Sequence, residues 1–407
     1  MEGEWYMKRH YNFDKVISRD ASSGSYSIKW QGFEDKFPGY NVQGALGMWI
    51  ADMDFLCPTE IITAVKKRAE HGIYGYISPH AVEAFKEAAA GWFKRRYNYR
   101  VPTDWMLFIS GIVPSINAAI LEFTEPTDGV IIQNPVYYPF SDSIINCGRT
   151  IINNQLIENN GFYSMDFEEL ETLARKSDNK LFILCNPHNP VGRVWTEDEL
   201  YQACKICSDN GVLIFSDEIH ADFIMKGHKF VSAGKLSSEI TENLIISFAP
   251  SKTFNIAGLA ASLIIIPNKA IRERLEKRMN INNYPAPNVF APIAGEAAYL
   301  YGDNYVNELI DYIEKNFDYV IGYLREYLPD IRMKKPEGTY LGWVDFRKTG
   351  FHKNEIYSIV LEKAKLAVDL GEWFGTGGED FLRFNFACPR ATVETAMERL
   401  KVAFQNL

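Results

Sequence analysis

The 407-residue sequence has no apolar run near the roughly 20 residues that a membrane-spanning helix needs; stretches such as LAASLIIIP at 259–267 stop well short, so no span is expected. It also lacks a cysteine framework. Cys57, Cys147, Cys185, Cys204, Cys207 and Cys388 are scattered, as in a protein kept reduced, and a cytoplasmic location is the expectation. Cys204 and Cys207 form a CxxC, but inside a helical pattern and without a second pair, so they read as packing rather than as a redox or metal site. The opening residues MEGEWYMKRHYNFD have neither the apolar segment nor the small-residue cleavage site of a secretory signal. Excess basic charge is missing too. With 43 Lys and Arg against 52 Asp and Glu the net charge is −9, a field that opposes phosphate-backbone binding. The clusters KKR at 66–68 and KRR at 94–96 fall in helical patterns and read as solvated faces, so nucleic acid is not an expected partner. No internal repeat or low-complexity tract is visible, which excludes a solenoid or propeller.

What is present is an ordinary globular composition, 47% apolar and 23% charged, long enough for a large core. Short apolar runs alternate with amphipathic helical patterns from about residue 50 to 285. The expected strands are MLFIS at 106–110, VIIQ at 130–133, LFILC at 181–185, VLIFS at 212–216, LIISFA at 244–249 and ASLIII at 261–266. Being apolar throughout, they read as strands of a mostly parallel sheet buried between helices, which is α/β architecture. Pro58 opens one helix, and Thr196 with Glu199 three residues later makes a capping box for another that ends near Gly211. After the Pro-rich stretch at 282–292, helical segments at about 303–328, 353–365 and 391–405 surround strands at 340–346 and 381–386. This predicts a large α/β domain over 51–287 and a smaller α+β domain made from 1–50 and 288–407.

In an open parallel sheet, ligands collect at the carboxyl ends of the strands, so the residues just beyond each strand are the informative ones. Beyond the first lie Gly111, Ile112 and Val113 at the start of a helix, either a plain turn or an anion cradle of backbone amides. Beyond the second, Tyr137 is either core packing or a ring at the cleft mouth. The turn NPHNPVG at 186–192 centres on Asn189, and Asp217 ends a buried strand, where a carboxylate needs a cation or several donors. Asp217, Glu218 and His220 do not have the spacing of a familiar metal motif, and no metal is expected. Lys252, beside Ser251 in an apolar segment, either snorkels to the surface or is held at the cleft with a lowered pKa, the state required for a Schiff base. A phosphate cradle, an aromatic platform, an Asn, an Asp and a Lys in this order match what pyridoxal phosphate requires.

On these residues the sequence resembles the fold-type I pyridoxal-phosphate enzymes of the class I and II aminotransferase superfamily, and within it the cystathionine β-lyase branch of the MalY and PatB type. The resemblance runs through NFDKVISRD at 12–20, MWIADMDF at 48–55, NPHNPVGRVW, SDEIHADF at 216–223 and APSKTFNIAGL at 249–259 to LRFNFACPR at 382–390. It implies that Lys252 carries the cofactor, Asp217 pairs with its ring nitrogen, Asn189 bonds its ring hydroxyl, Tyr137 stacks on it, and Gly111, Ile112 and Val113 bind its phosphate. It also implies that Tyr74, in IYGY at 73–76, reaches the phosphate of a neighbouring subunit in a homodimer, and that Arg383 grips the substrate α-carboxylate.

Two positions depart from the usual aminotransferase pattern: His220 stands where a Tyr is common, and Ala260 where many members carry a phosphate-binding Arg. Both suit the lyase branch and leave Ser251 and His220 as further cofactor contacts. The activity implied is a carbon–sulfur β-lyase that converts cystathionine or a related S-substituted cysteine to a thiol, pyruvate and ammonia. The alternatives are an aminotransferase on the same site and a non-catalytic regulatory protein of the same fold.

Overall fold

The computed structural model describes residues 10–19, 21–281 and 287–406. Part of the Pro-rich stretch, the first nine residues of the opening segment and Asp20 of NFDKVISRD therefore lie outside the described residues.

A seven-stranded sheet forms the larger layer, from β1 (Met106–Ile109), β2 (Gly129–Ile132), β3 (Thr150–Asn153), β4 (Asn179–Cys185), β5 (Leu213–Asp217), β6 (Leu244–Phe248) and β7 (Ser262–Ile265). Their order is β1-β7-β6-β5-β4-β2-β3. All of the sequence-expected strands are there because β2, β5, β6 and β7 are buried along their whole length and β4 along nearly all of it. Each fully buried aliphatic side chain contributes about 1.5–3 kcal/mol, which holds such runs inside the sheet. The sheet is mostly parallel, as the sequence predicts, and two of its features are not readable from the sequence. The strand β7 runs antiparallel to both neighbours, since an apolar run carries no information about direction. The strand β3, TIIN, was not expected: it lies at the sheet edge with no fully buried residue, so it lacks the continuous apolar signature.

Helices cover both faces. The helix α1 (Pro79–Tyr97) packs against α4 (Ala291–Tyr301) so closely that a Cβ at Gly295 would stand 2.4 Å from the Phe85 ring. Between them in sequence, α2 (Ile112–Phe123) follows β1, and α3 (Glu197–Asp209) starts at the expected capping box of Thr196 and Glu199. The helices after residue 300 are α5 (Asp303–Tyr327) and α6 (Arg390–Gln405), while the segment expected at 353–365 is a short helix, Lys353–Ser358, continued by a π-helical turn, Ile359–Lys363.

A second, antiparallel sheet contains β8 (Arg332–Met333), β9 (Leu341–Asp345), β10 (Asp369–Leu370) and β11 (Phe381–Asn385) in the order β8-β9-β11-β10. The N-terminal segment joins this side of the molecule by pairing Leu46–Gly47 with Leu366–Ala367. From there residues 49–53 cross to the large sheet as a strap whose carbonyls are held by side chains. Arg383 donates to Trp49 O, Asn385 to Ile50 O and Asp52 O, Lys252 and Tyr340 to Ala51 O, and Asn255 to Met53 O.

Candidate active site

The strand register aligns Cys185, Asp217 and Ser247 in one row at the carboxyl edge of β4, β5 and β6. Above that row is a cavity of about 260 Å³. Lys252, Asp217, Asn189, Tyr137, Gly111, Ile112, Val113, His220 and Ser251 all line it, so the structure brings together every sequence-proposed residue except Arg383 and Tyr74.

Lys252 sits in a single helical turn, Pro250–Thr253, directly after β6, and its Nζ donates to the Ala51 carbonyl at 2.6 Å. Burial pushes its pKa down from 10.5 to about 8, with the Arg383 charge adding to the fall and the nearby carboxylates of Asp52 and Asp217 opposing it. The neutral amine, the form that attacks an aldehyde, is therefore accessible near neutral pH. For apoprotein mixed with pyridoxal phosphate, the rate of covalent capture should rise with pH and level off above about 8. A limb centred near the unperturbed 10.5 would contradict this environment.

Asp217 is buried and accepts at Oδ1 from the Ile219 amide at 3.2 Å and the Ser247 hydroxyl at 3.1 Å. Burial raises its pKa to about 6, only partly offset by those donors, so a cationic group in the cavity would stabilise its charged form. His220 is held well below its usual pKa, by burial first and then by the Lys252 and Arg383 charges, and is neutral; its Nδ1 has no hydrogen-bond partner among the described residues. The Tyr137 phenol, pushed up to about 12 mainly by burial, is neutral as well.

At the other end of the cavity α2 begins. Gly111 has φ +110, a left-handed conformation that favours glycine, and leads straight into the first residues of α2, Ile112 and Val113, which line the cavity. The Gly111 amide itself donates to Ile109 O at 3.1 Å, so the donors left for an anion are those of Ile112 and Val113, reinforced by the helix dipole.

Asn189 is buried and accepts from Arg383 Nη1 at 3.1 Å. Arg383 does not line the cavity; it stands behind Asn189, buried, with Nη2 bonded to the Trp49 carbonyl and to Asp369. Removing one partner of a buried ion pair such as Arg383–Asp369 costs about 3–5 kcal/mol. Asp369 was missed by the sequence reading; the available signal was a lone carboxylate in the apolar run LAVDL at 366–370. Ala51, whose carbonyl accepts from the Lys252 amine, and Tyr340, whose hydroxyl donates to that same carbonyl, were missed too: the carbonyl of Ala51 has no side-chain signature, and Tyr340 looks like any core aromatic.

Tyr74 lies apart from its own chain's cavity, exposed, with its hydroxyl on Ala69 O and its ring against Phe290. Glu218 does not line the cavity with Asp217 and His220; its Oε1 accepts from the Ser216 hydroxyl and the Ala233 amide. Cys204 and Cys207 are buried in α3 with thiols pushed up by burial.

The donor set fits pyridoxal phosphate on the structure's own terms: an amine with a lowered pKa, a carboxylate ready for a ring cation, an aromatic face, and amides at a helix N-terminus share one cavity. Comparison with known proteins agrees. The chain is 41% identical over 392 residues to the cystathionine beta-lyase PatB of Bacillus subtilis (strain 168), covering 96% of this chain and 99% of that protein. Its fold superimposes on cystalysin from Treponema denticola, a structure containing a pyridoxal 5'-phosphate cofactor, with TM-score 0.93 and 36% identity, covering 98% of this chain and 100% of the other. A PLP-bound putative aminotransferase from Clostridium difficile 630 matches with TM-score 0.93 and 40% identity over 97% of this chain and 100% of its own. Residues 45–400 match the profile of the family described as aminotransferase class I and II. The chain belongs to that family, with its fold-type I architecture.

Proposed function

We propose that the chain is a pyridoxal-phosphate-dependent carbon–sulfur β-lyase that cleaves cystathionine or related S-substituted cysteines to a thiol, pyruvate and ammonia. The observation that carries the reading is the full-length similarity to a cystathionine β-lyase, joined to a cavity in which Lys252, Asp217 and the first amides of α2 converge. When bound, pyridoxal phosphate supplies the electron sink for charge developing at the substrate α-carbon. Lys252 holds the cofactor and, as a free neutral amine, takes the α-proton at Nζ. Asp217 keeps a proton on the ring nitrogen by its negative charge. Ile112 and Val113 bind the phosphate through their amides, with Gly111 shaping the turn and Ser251 beside it. Tyr137 and His220 bound the ring, and Asn189 donates to the ring hydroxyl while its carbonyl oxygen stays on Arg383. Arg383 receives the substrate α-carboxylate.

In the same reading residues 51–287 form the cofactor-holding domain, and 1–50 with 288–407 the smaller one. Two chains pair, so that Tyr74 reaches the neighbouring site; the exposure of Ile73, Tyr74 and Tyr76 on one segment supports this. A cytoplasmic location accords with six free cysteines, and among the described residues no helix is long and apolar enough to cross a membrane. Thiol release from S-substituted cysteines without any 2-oxo acid tests the reaction class, because an amino-group transfer on this same site would need that acceptor.

A further inference from the structure

We propose that Asp369 is a positioning residue that aims Arg383 at the carboxylate of the amino-acid substrate; the proposal rests on the reading of Arg383 given above. Strands β10 and β11 pair with Asp369 directly opposite Arg383, which places the two side chains on one face of the sheet. The Asp369 carboxylate accepts from Arg383 Nη2, the same nitrogen donates to Trp49 O at 2.8 Å, and Nη1 donates to Asn189 Oδ1 at 3.1 Å. The guanidinium lies 5.0 Å from the centre of the Phe374 ring. A guanidinium has five N–H donors. These contacts commit both Nη2 hydrogens and one on Nη1, while Nε has no partner among the described residues. The arm is thus fixed from behind, with Nε and the second Nη1 hydrogen left for a ligand.

Asp369 and Arg383 are both buried and neither lines the cavity, whereas Asn189, which accepts from Arg383 Nη1, does, so Arg383 stands between Asp369 and a residue of the cavity wall. The remaining oxygen of Asp369, Oδ1, has no hydrogen-bond partner among the described residues, so its role is spent on Arg383. The other cation acting on it is Lys36, whose ammonium lies 3.9 Å from the centre of the Trp373 ring and 4.7 Å from that of Tyr138. Without the Asp369 charge, Arg383 and Lys36 would repel one another across a poorly solvated region, and Arg383 would lose both its aim and its compensating charge.

The test is binding of L-alanine and of ethylamine to the holoenzyme, followed by the cofactor absorbance. The two ligands differ only in the carboxylate, and neither carries a sulfur leaving group, so lyase activity does not enter. Asp369→Asn should weaken alanine by about tenfold, the loss of one well-aligned charged contact, and leave ethylamine unchanged. Arg383→Ala should bring alanine down to the level of ethylamine. Alanine affinity unchanged or increased in Asp369→Asn, or an equal loss for both ligands, would overturn the proposal while leaving Arg383 in place. Unchanged alanine binding in Arg383→Ala would overturn the Arg383 reading and the proposal with it. Should Asp369→Asn fail to fold, Asp369→Glu, which keeps the charge and shifts it by one methylene, should show the same selective loss.

Discussion

Lys252→Ala is expected to keep the fold, to bind pyridoxal phosphate only non-covalently, and to lose turnover by on the order of a thousandfold or more. On the proposed reading one substitution removes two functions, the covalent anchor and the base that takes the α-proton, and general acid–base catalysis alone is worth about 10²–10⁴-fold. The fold should survive because, among the described residues, Lys252 makes one hydrogen bond, to the Ala51 carbonyl, and that carbonyl retains its bond from the Tyr340 hydroxyl. Borohydride reduction of the wild type should fix the cofactor on the peptide containing Lys252. A different modified lysine, or turnover within tenfold of wild type in Lys252→Ala, would contradict the assignment.

Asp217→Asn is expected to retain cofactor and fold while losing on the order of a hundredfold or more in rate. The substitution is nearly isosteric and keeps an oxygen for the Ile219 amide and the Ser247 hydroxyl, so the local hydrogen bonds persist. What disappears is a negative charge in a buried site, where a contribution of about 3 kcal/mol in the transition state corresponds to that loss. The cofactor absorbance should shift as its ring nitrogen loses its proton. An unchanged rate with an unchanged spectrum would place the controlling carboxylate elsewhere.

Both predictions concern residues that the sequence made legible, and the reason is structural. A parallel sheet puts its chemistry at strand ends, and each strand announces its end by the change from an apolar run to Gly111, Asn189, Asp217 or Lys252. The groups that orient these residues were not legible. Ala51 acts through a carbonyl that any residue would supply. Asp369 meets Arg383 only through the pairing of β10 with β11, and a strand of two residues leaves no periodic pattern to read. The edge strand β3 was hidden because it buries little, and the antiparallel direction of β7 because both directions bury the same side chains. The Gly111 amide is bonded to Ile109 O, so on the proposed reading this residue contributes through the backbone turn that precedes Ile112 and Val113.

The most direct test of the lyase reading is to incubate the purified holoenzyme with cystathionine, with no 2-oxo acid added, and to measure homocysteine, pyruvate and ammonia over many turnovers. The account predicts equal amounts of the three, accumulating steadily at far above one equivalent per site. Absence of all three products, with about one equivalent of cystathionine per site converted to its own 2-oxo acid and more only when a second 2-oxo acid is supplied, would contradict it and make the chain an aminotransferase.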